Sequence, residues 1–220
     1  MVLRVGIYLF DEVEVLDFAG PFEVFSTASR LWERSGAEPA FAVHLLGPDL
    51  NPVRARGGMR VLPQHAFAEA PPLEVLVIAG GVVTAELQRP GLAAWLQTQV
   101  AQLQVLASIC TGAFMLENAG LLNGCEVITH WEDLDELRAA SQASGSMLKV
   151  LSHQRWVEAA PLQACRLFTS AGISAGIDLS LHLVAELASP ELARRTARQM
   201  DYDWRAANGS LLQAAAGGRG

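Results

Sequence analysis

Cys110 stands where a short apolar run, Val105-Leu106-Ala107-Ser108-Ile109, gives way to a helical pattern. That pattern opens with Thr111-Gly112-Ala113 and continues through Phe114, Met115 and Leu116. A residue at such a strand-to-helix turn projects from the sheet edge, where the free N–H groups of the helix point. For a cysteine this placement favours the thiolate and lowers its pKa from the free value of roughly 8.5. A pKa of roughly 6 would leave about nine-tenths of the thiol ionised at neutral pH. Gly112 and Ala113 are small enough to let a substrate approach closely. The chemistry open to this nucleophile elbow is attack on an electrophilic carbon. Taken without its neighbours, Cys110 reads as well as a small buried hydrophobe.

Two further positions could serve the same chemistry. Asp17 sits in an apolar setting, Val15-Leu16-Asp17-Phe18-Ala19-Gly20-Pro21. Desolvation there raises a carboxyl pKa and lets it carry protons near neutrality; the other reading is a loop carboxylate or helix cap. Gly80-Gly81 follows an apolar run. It either frees backbone N–H groups for an anion or oxyanion, or makes a tight turn.

The elements that must position these residues alternate along the chain. The pattern predicts strands over Arg4–Phe10, Phe41–Leu46, Glu74–Ile78, Val105–Ile109, Glu126–Thr129, Arg155–Ala159 and Arg166–Ser170. Gly57-Gly58 marks a hairpin between Val53 and Pro63. Helices are predicted within Leu16–Arg34, starting near Gly20-Pro21, and over Pro90–Gln102, Glu132–Ala140, Ser174–Ala188 and Glu191–Trp204. Strand–helix alternation predicts an α/β fold with a mostly parallel sheet and helices on both faces. Ligand sites in such sheets lie beyond the carboxyl ends of the strands, where Asp17, Gly80-Gly81 and Cys110-Thr111 fall. No linker or repeat interrupts the pattern, so residues 1–205 are expected to form one domain and residues 206–220, rich in Ala and Gly, a flexible tail.

Of the 220 residues, 51% are hydrophobic and 18% charged, the balance of a compact globular chain. The net charge of −7 argues against nucleic-acid and anionic-membrane partners. The N-terminus reads as a first strand, with no signal peptide, and no apolar run is long enough to span a membrane. Three cysteines without close spacing suit a reducing cytoplasm.

The segments LFDEVEVLDFAGPFEVF, VLVIAGG, SICTGAFMLENAGLLNG, THW and TSAGISAGIDLSLHLVAEL together carry a resemblance to the ThiJ/PfpI superfamily. They occur in that superfamily's order over roughly residues 3–204. The resemblance implies the class I glutamine amidotransferase-like fold, a three-layer sandwich around a mostly parallel sheet. Asp17 four residues before Pro21, the Cys-Thr-Gly elbow and the THW segment most resemble isonitrile hydratases. They also resemble the ligand-binding domains of AraC-type regulators, which carry a helix-turn-helix module that this chain is not expected to have.

The resemblance makes Cys110 the nucleophile, Asp17 the carboxylate beside it and Thr111 a contributor of N–H or hydroxyl. Gly80 and Gly81 become the glycine pair facing the elbow. The PfpI-type peptidases have His directly after the nucleophile, where Thr111 stands here, so protease activity is not expected. The implied reaction hydrates an isonitrile to an N-substituted formamide. Thiolate attack is followed by proton delivery from a protonated Asp17, with no metal or cofactor. Other cysteine chemistry on the same site, amidase, glyoxalase-type or redox-protective, is the rival. Phe18, Phe22, Ile109 and Ile173 imply a hydrophobic substrate group, with Ile173 among the substrate-binding residues. A homodimer is implied as well.

The remaining candidates are read as structural. His130-Trp131 is taken as a packed pair, the alternative being a histidine near the site with Trp131 as a pocket wall. His44, His65, His153 and His182 lack ligand spacing, so no metal site is expected. Cys125 and Cys165 lack the elbow context. Glu23 on the first helix is assigned a structural role, and Arg194, Arg195 and Arg198 a solvated face.

Overall fold

The computed structural model describes residues 2–210 and 212. In chain order the elements are β1 (Leu3–Tyr8), α1 (Val15–Glu33), β2 (Phe41–Gly47), β3 (Val53–Arg54), β4 (Arg60–Val61), β5 (His65–Ala66) and β6 (Val75–Ile78). There follow α2 (Thr84–Leu87), α3 (Leu92–Gln99), β7 (Val105–Ile109), α4 (Gly112–Asn118), β8 (Glu126–Val127), α5 (Leu134–Ser144) and β9 (Lys149–Val150). The chain closes with β10 (Trp156–Leu162), β11 (Cys165–Ser170), α6 (Ala175–Leu187) and α7 (Pro190–Gln199).

Seven strands form one sheet in the order β10-β11-β7-β6-β1-β2-β5. All pairs are parallel except β10 with β11. From β1 the chain crosses to β2 in one direction, and from β6 to β7 in the other. Right-handed crossovers therefore put α1 on one face and α2–α3 on the opposite one. α6 and α7 pack with α1, and α4 with α2, α3 and α5, which completes the three layers. β6 and β7 are buried at every position, which explains why VLVI and VLASI show no alternation.

The register brings the strand ends level. Tyr8 pairs with Ile78, Ile78 with Ser108 and Ser108 with Thr169. The segments just beyond, around Phe10, Gly80, Cys110 and Ala171, therefore meet at one edge of the sheet.

The short elements β5, α2 and β9 were not read in the sequence, and three that were read differ from their expected bounds. α1 begins at Val15, so Pro21 lies inside it and not at its first turn. The packing of α1 on α6 outweighs the missing N–H. A Cβ on Gly20 would stand 2.9 Å from Ile177 Cγ1, so glycine there lets the two helices close. Of Glu126–Thr129 only β8 is strand, and it pairs with β9 outside the main sheet; Ile128 N–H instead donates to Thr169 Oγ1 at 2.9 Å. The last helix stops at Gln199. Residues beyond it turn back, with Arg205 N–H donating to Asp178 Oδ1 at 2.8 Å and Trp204 Nε1–H to the Asp178 carbonyl at 3.1 Å. Of the expected tail, residues 206–210 contain a turn in which Ala206 N–H donates to the Ser210 carbonyl at 2.8 Å. Residues 211 and 213–220 lie outside the described residues. No described helix is long and apolar enough to cross a membrane.

Candidate active site

Cys110 is the single residue between β7 and the turn into α4, and it holds φ at +56°. A non-glycine residue keeps that left-handed conformation only where its surroundings impose it. Here they do so from two sides. Cys110 N–H donates to the Ser170 carbonyl at the end of β11 (3.1 Å), and the Cys110 carbonyl accepts from Thr129 Oγ1 (2.8 Å). Gly112 must be glycine, because a Cβ would run into the Ile78 carbonyl of β6. The elbow is thus clamped by the neighbouring strand ends, and Cys110 is only 7% exposed.

Asp17, in the first turn of α1, is fully buried. Its Oδ2 accepts from Gly80 N–H at 3.0 Å, while Oδ1 has no hydrogen-bond partner among the described residues. A Cβ on Gly80 would stand 2.8 Å from both Asp17 Oδ2 and Cys110 Cβ, and 2.6 Å from Thr111 N. The glycine is therefore what allows the acid, the thiol and the elbow to meet. Thr111 and Gly81 are joined twice: Thr111 Oγ1–H donates to the Gly81 carbonyl (2.7 Å), and Gly81 N–H donates to Thr111 Oγ1 (2.8 Å). Both glycine N–H groups are thus already engaged. This corrects the expectation that Gly80 and Gly81 offer free donors to an oxyanion; their part in the geometry is close approach. Gly81 also closes on the segment after β1, forming a bridge with Val13. Ile173, with φ +56° and 37% exposed, faces the elbow from the turn before α6.

The electrostatics of the pair are set by burial. Burial pushes the Asp17 carboxyl up to about 7; the Gly80 N–H partly offsets this, and Glu14 adds to it. Burial, and then the Asp17 charge, push the Cys110 thiol up to about 12, against smaller opposing effects of the Thr111 N–H and hydroxyl. The free thiolate expected from the helix terminus is therefore not the resting form. α4 has seven residues, and a short helix end does not offset desolvation with a carboxylate behind the sulfur. Near pH 7 the couple passes from two protons to one, the remaining one on Cys110, and that one leaves only near pH 12.

Residues 3–186 match the profile of the DJ-1/PfpI family. The chain belongs to that family. It is 31% identical over 203 residues to an isonitrile hydratase of Pseudomonas putida, covering 92% of this chain and 79% of that enzyme. It is 28% identical over 199 residues to the HTH-type transcriptional regulator GbdR of Pseudomonas aeruginosa, covering 90% of this chain and spanning half the length of the regulator. Among solved structures, a ThiJ/PfpI family protein from Pseudomonas syringae superposes with a TM-score of 0.77 at 24% identity, covering 92% of this chain and 76% of that one. The three-layer fold read from the sequence is that of the DJ-1/PfpI family.

In this DJ-1/PfpI chain the thiol opens onto a pocket of 320 Å³ whose rim the sequence did not reveal. Glu14, Glu132 and Asp133 line it together with Arg56, which lies 3.5 Å from Glu14. Three carboxylates against one paired guanidinium disfavour an anionic ligand. Arg56 comes from between β3 and β4, far from the elbow in sequence, and no motif marks it. His130 also lines the pocket, its Nδ1 accepting from Glu132 N–H at 3.3 Å. Of the pair expected to be packed, His130 is packed, against Gly172, but Trp131 is not. Trp131 is 73% exposed, and it lines a second cavity with His130.

The other candidates stay away from the pocket. Cys125 and Cys165 are buried elsewhere, and burial pushes the Cys165 thiol up to about 11. His44 Nδ1 and His65 Nε2 face each other at 3.2 Å, and His182 stacks on Trp156 with ring centres 4.1 Å apart. Glu23 binds Thr27 and Arg30 along α1. Arg194, Arg195 and Arg198 lie exposed on α7. No three His, Cys, Asp or Glu side chains are grouped to hold a metal ion among the described residues.

Proposed function

We propose that this chain hydrates isonitriles to N-substituted formamides, with Cys110 as nucleophile and Asp17 as its proton carrier. The observation that carries the reading is the buried couple itself: a fully buried carboxyl with one unpartnered oxygen beside an elbow cysteine. An isonitrile, R–N≡C, is electrophilic at its terminal carbon, small at its reacting end and uncharged, which suits an acid-rimmed pocket. Asp17, as carboxylate, takes the thiol proton while sulfur attacks that carbon. It then delivers the same proton to the carbon, giving the thioimidate Cys–S–CH=N–R. Water next adds across C=N, its hydroxyl going to carbon and its proton to nitrogen through Asp17. The C–S bond breaks, the hydroxyl proton returns to sulfur by way of Asp17, and R–NH–CHO leaves. Atoms balance as R–N≡C plus water, with no metal or organic cofactor used.

In this order Asp17 starts as the base, not as the acid the sequence suggested, because above about pH 7 the couple's one proton stays on Cys110. Thr111 and Gly81 fix the elbow against β6, and Ile173 borders the bound substrate. The reading takes the protein as a cytoplasmic homodimer acting on a small molecule, without nucleic-acid or membrane partners. Purified protein incubated with cyclohexyl isonitrile should yield the formamide, and Cys110→Ala should yield none. A wild-type protein that binds the isonitrile without turnover would sink the hydratase reading. It would favour the second one, a ligand-sensing domain, which the similarity to GbdR across 90% of the chain supports.

A further inference from the structure

A second cavity, of 530 Å³, adjoins the reaction pocket at the same edge of the sheet. The two share His130 and Ile173, which line both and form the ridge between them. The ridge is tightly built: a Cβ on Gly172 would strike the His130 ring, so the glycine lets the loop before α6 lie against it. Ile128, Leu134 and Trp131 also line the cavity.

The two compartments differ in charge. Glu14, Glu132 and Asp133 line the first; burying an apolar body there would desolvate them without replacing their water contacts. The second is lined by one charged side chain, Arg155. Its Nε already donates to Asp178 Oδ2 at 2.8 Å, and Asp178 is fully buried. Trp131 has no packing partner in proportion to its size. It is 73% exposed, and the His130 ring, 5.7 Å away and tilted by 40°, is its one aromatic neighbour among the described residues. An indole held open over a cavity lined by Ile128 and Leu134 as well as by Ser152, His153 and Gln154 offers a flat face for offset stacking.

We infer that the second cavity holds the body of the substrate, an uncharged aromatic group, with Trp131 as the specificity-determining residue. This deepens the hydratase reading and rests on it for the reacting end of the molecule. The isonitrile carbon lies at Cys110, the R group crosses the His130–Ile173 ridge, and the ring lies against Trp131. Trp131 touches no reacting atom, so its effect falls on the choice between substrates.

The test compares benzyl with methyl isonitrile turnover in wild type, Trp131→Ala and Trp131→Phe. The benzyl-to-methyl ratio of kcat/KM should fall about 2- to 12-fold in Trp131→Ala, the range of an aromatic pair, and recover in Trp131→Phe. In parallel, the rates at which N-benzylmaleimide and N-methylmaleimide alkylate Cys110 give the same ratio without requiring hydration. If neither isonitrile turns over but the maleimide ratio depends on Trp131, the hydratase reading fails and the compartment stands. Ratios equal in wild type and Trp131→Ala in both assays overturn the inference. So does a Trp131→Ala variant whose mass in solution changes while its ratios do not, because Trp131 is then an interface residue between copies.

Discussion

Asp17 is buried beside a thiol, and its proton is held up to about 7 for that reason. The reactive form of the couple is the one with a single proton, since a doubly protonated pair has no base to free the sulfur. kcat/KM should therefore rise with pH through about 7 and level off above, because loss of the second proton waits until about 12. Asp17→Asn should remove that rising limb and slow turnover by about 10²–10⁴-fold. The same substitution has a stability signature of opposite sign. A carboxyl whose folded pKa is raised above its unfolded value favours folding only while protonated. That contribution is complete below about 4 and is lost as pH rises to about 7. Asn keeps the shape without the charge, so Asp17→Asn should be the more stable protein at pH 8, by up to about 4 kcal/mol, and no more stable at pH 4. Thermal unfolding at the two pH values checks this, and equal melting temperatures at pH 8 would remove the buried charge as the cause.

At the scale of elements, the site is a meeting of four chain segments that follow β1, β6, β7 and β11. Gly80 is the point of that meeting where any side chain would press on Asp17, Cys110 and the Thr111 N–H together. Gly80→Ala should cost about 1–3 kcal/mol of stability, as overpacking does in rigid cores. It should lower activity further than the stability loss accounts for, since relief can come only by separating the couple. Urea unfolding with kcat/KM on the folded fraction separates the two effects. A variant of unchanged stability and activity would mean that the strand ends give way more easily than their hydrogen bonds suggest.

Across the whole molecule, Asp178 joins parts that are distant in sequence. Arg155 at the head of β10, Arg205 beyond α7 and Asp178 itself on α6 converge on one carboxylate buried behind the second cavity. Asp178→Ala leaves that guanidinium without its partner, and a cost of about 3–5 kcal/mol in chemical denaturation is expected; a loss below 1 kcal/mol would show that water replaces the contact. Much of this architecture was legible in the sequence alone. Runs such as VLVI and VLASI are buried at every position and almost wholly apolar, because central parallel strands are covered on both faces. The Cys-Thr-Gly turn and the paired glycines are local necessities of backbone shape, so they survive as motifs. Asp17 was legible too, since an acid among Val, Leu, Phe and Pro has little water to face. What the sequence could not contain was relative placement. The Cys110 pKa moved opposite to its local helix-end expectation because desolvation and the Asp17 charge come from elements folded against it. Gly80 and Gly81 lost their free N–H groups to side chains 63 and 30 residues away. Arg56 and the exposure of Trp131 follow no local periodicity, and only the packing of loops at the sheet edge decided where they stand. Local conformation depends on neighbours in the chain, whereas charge, burial and pocket shape depend on neighbours in space.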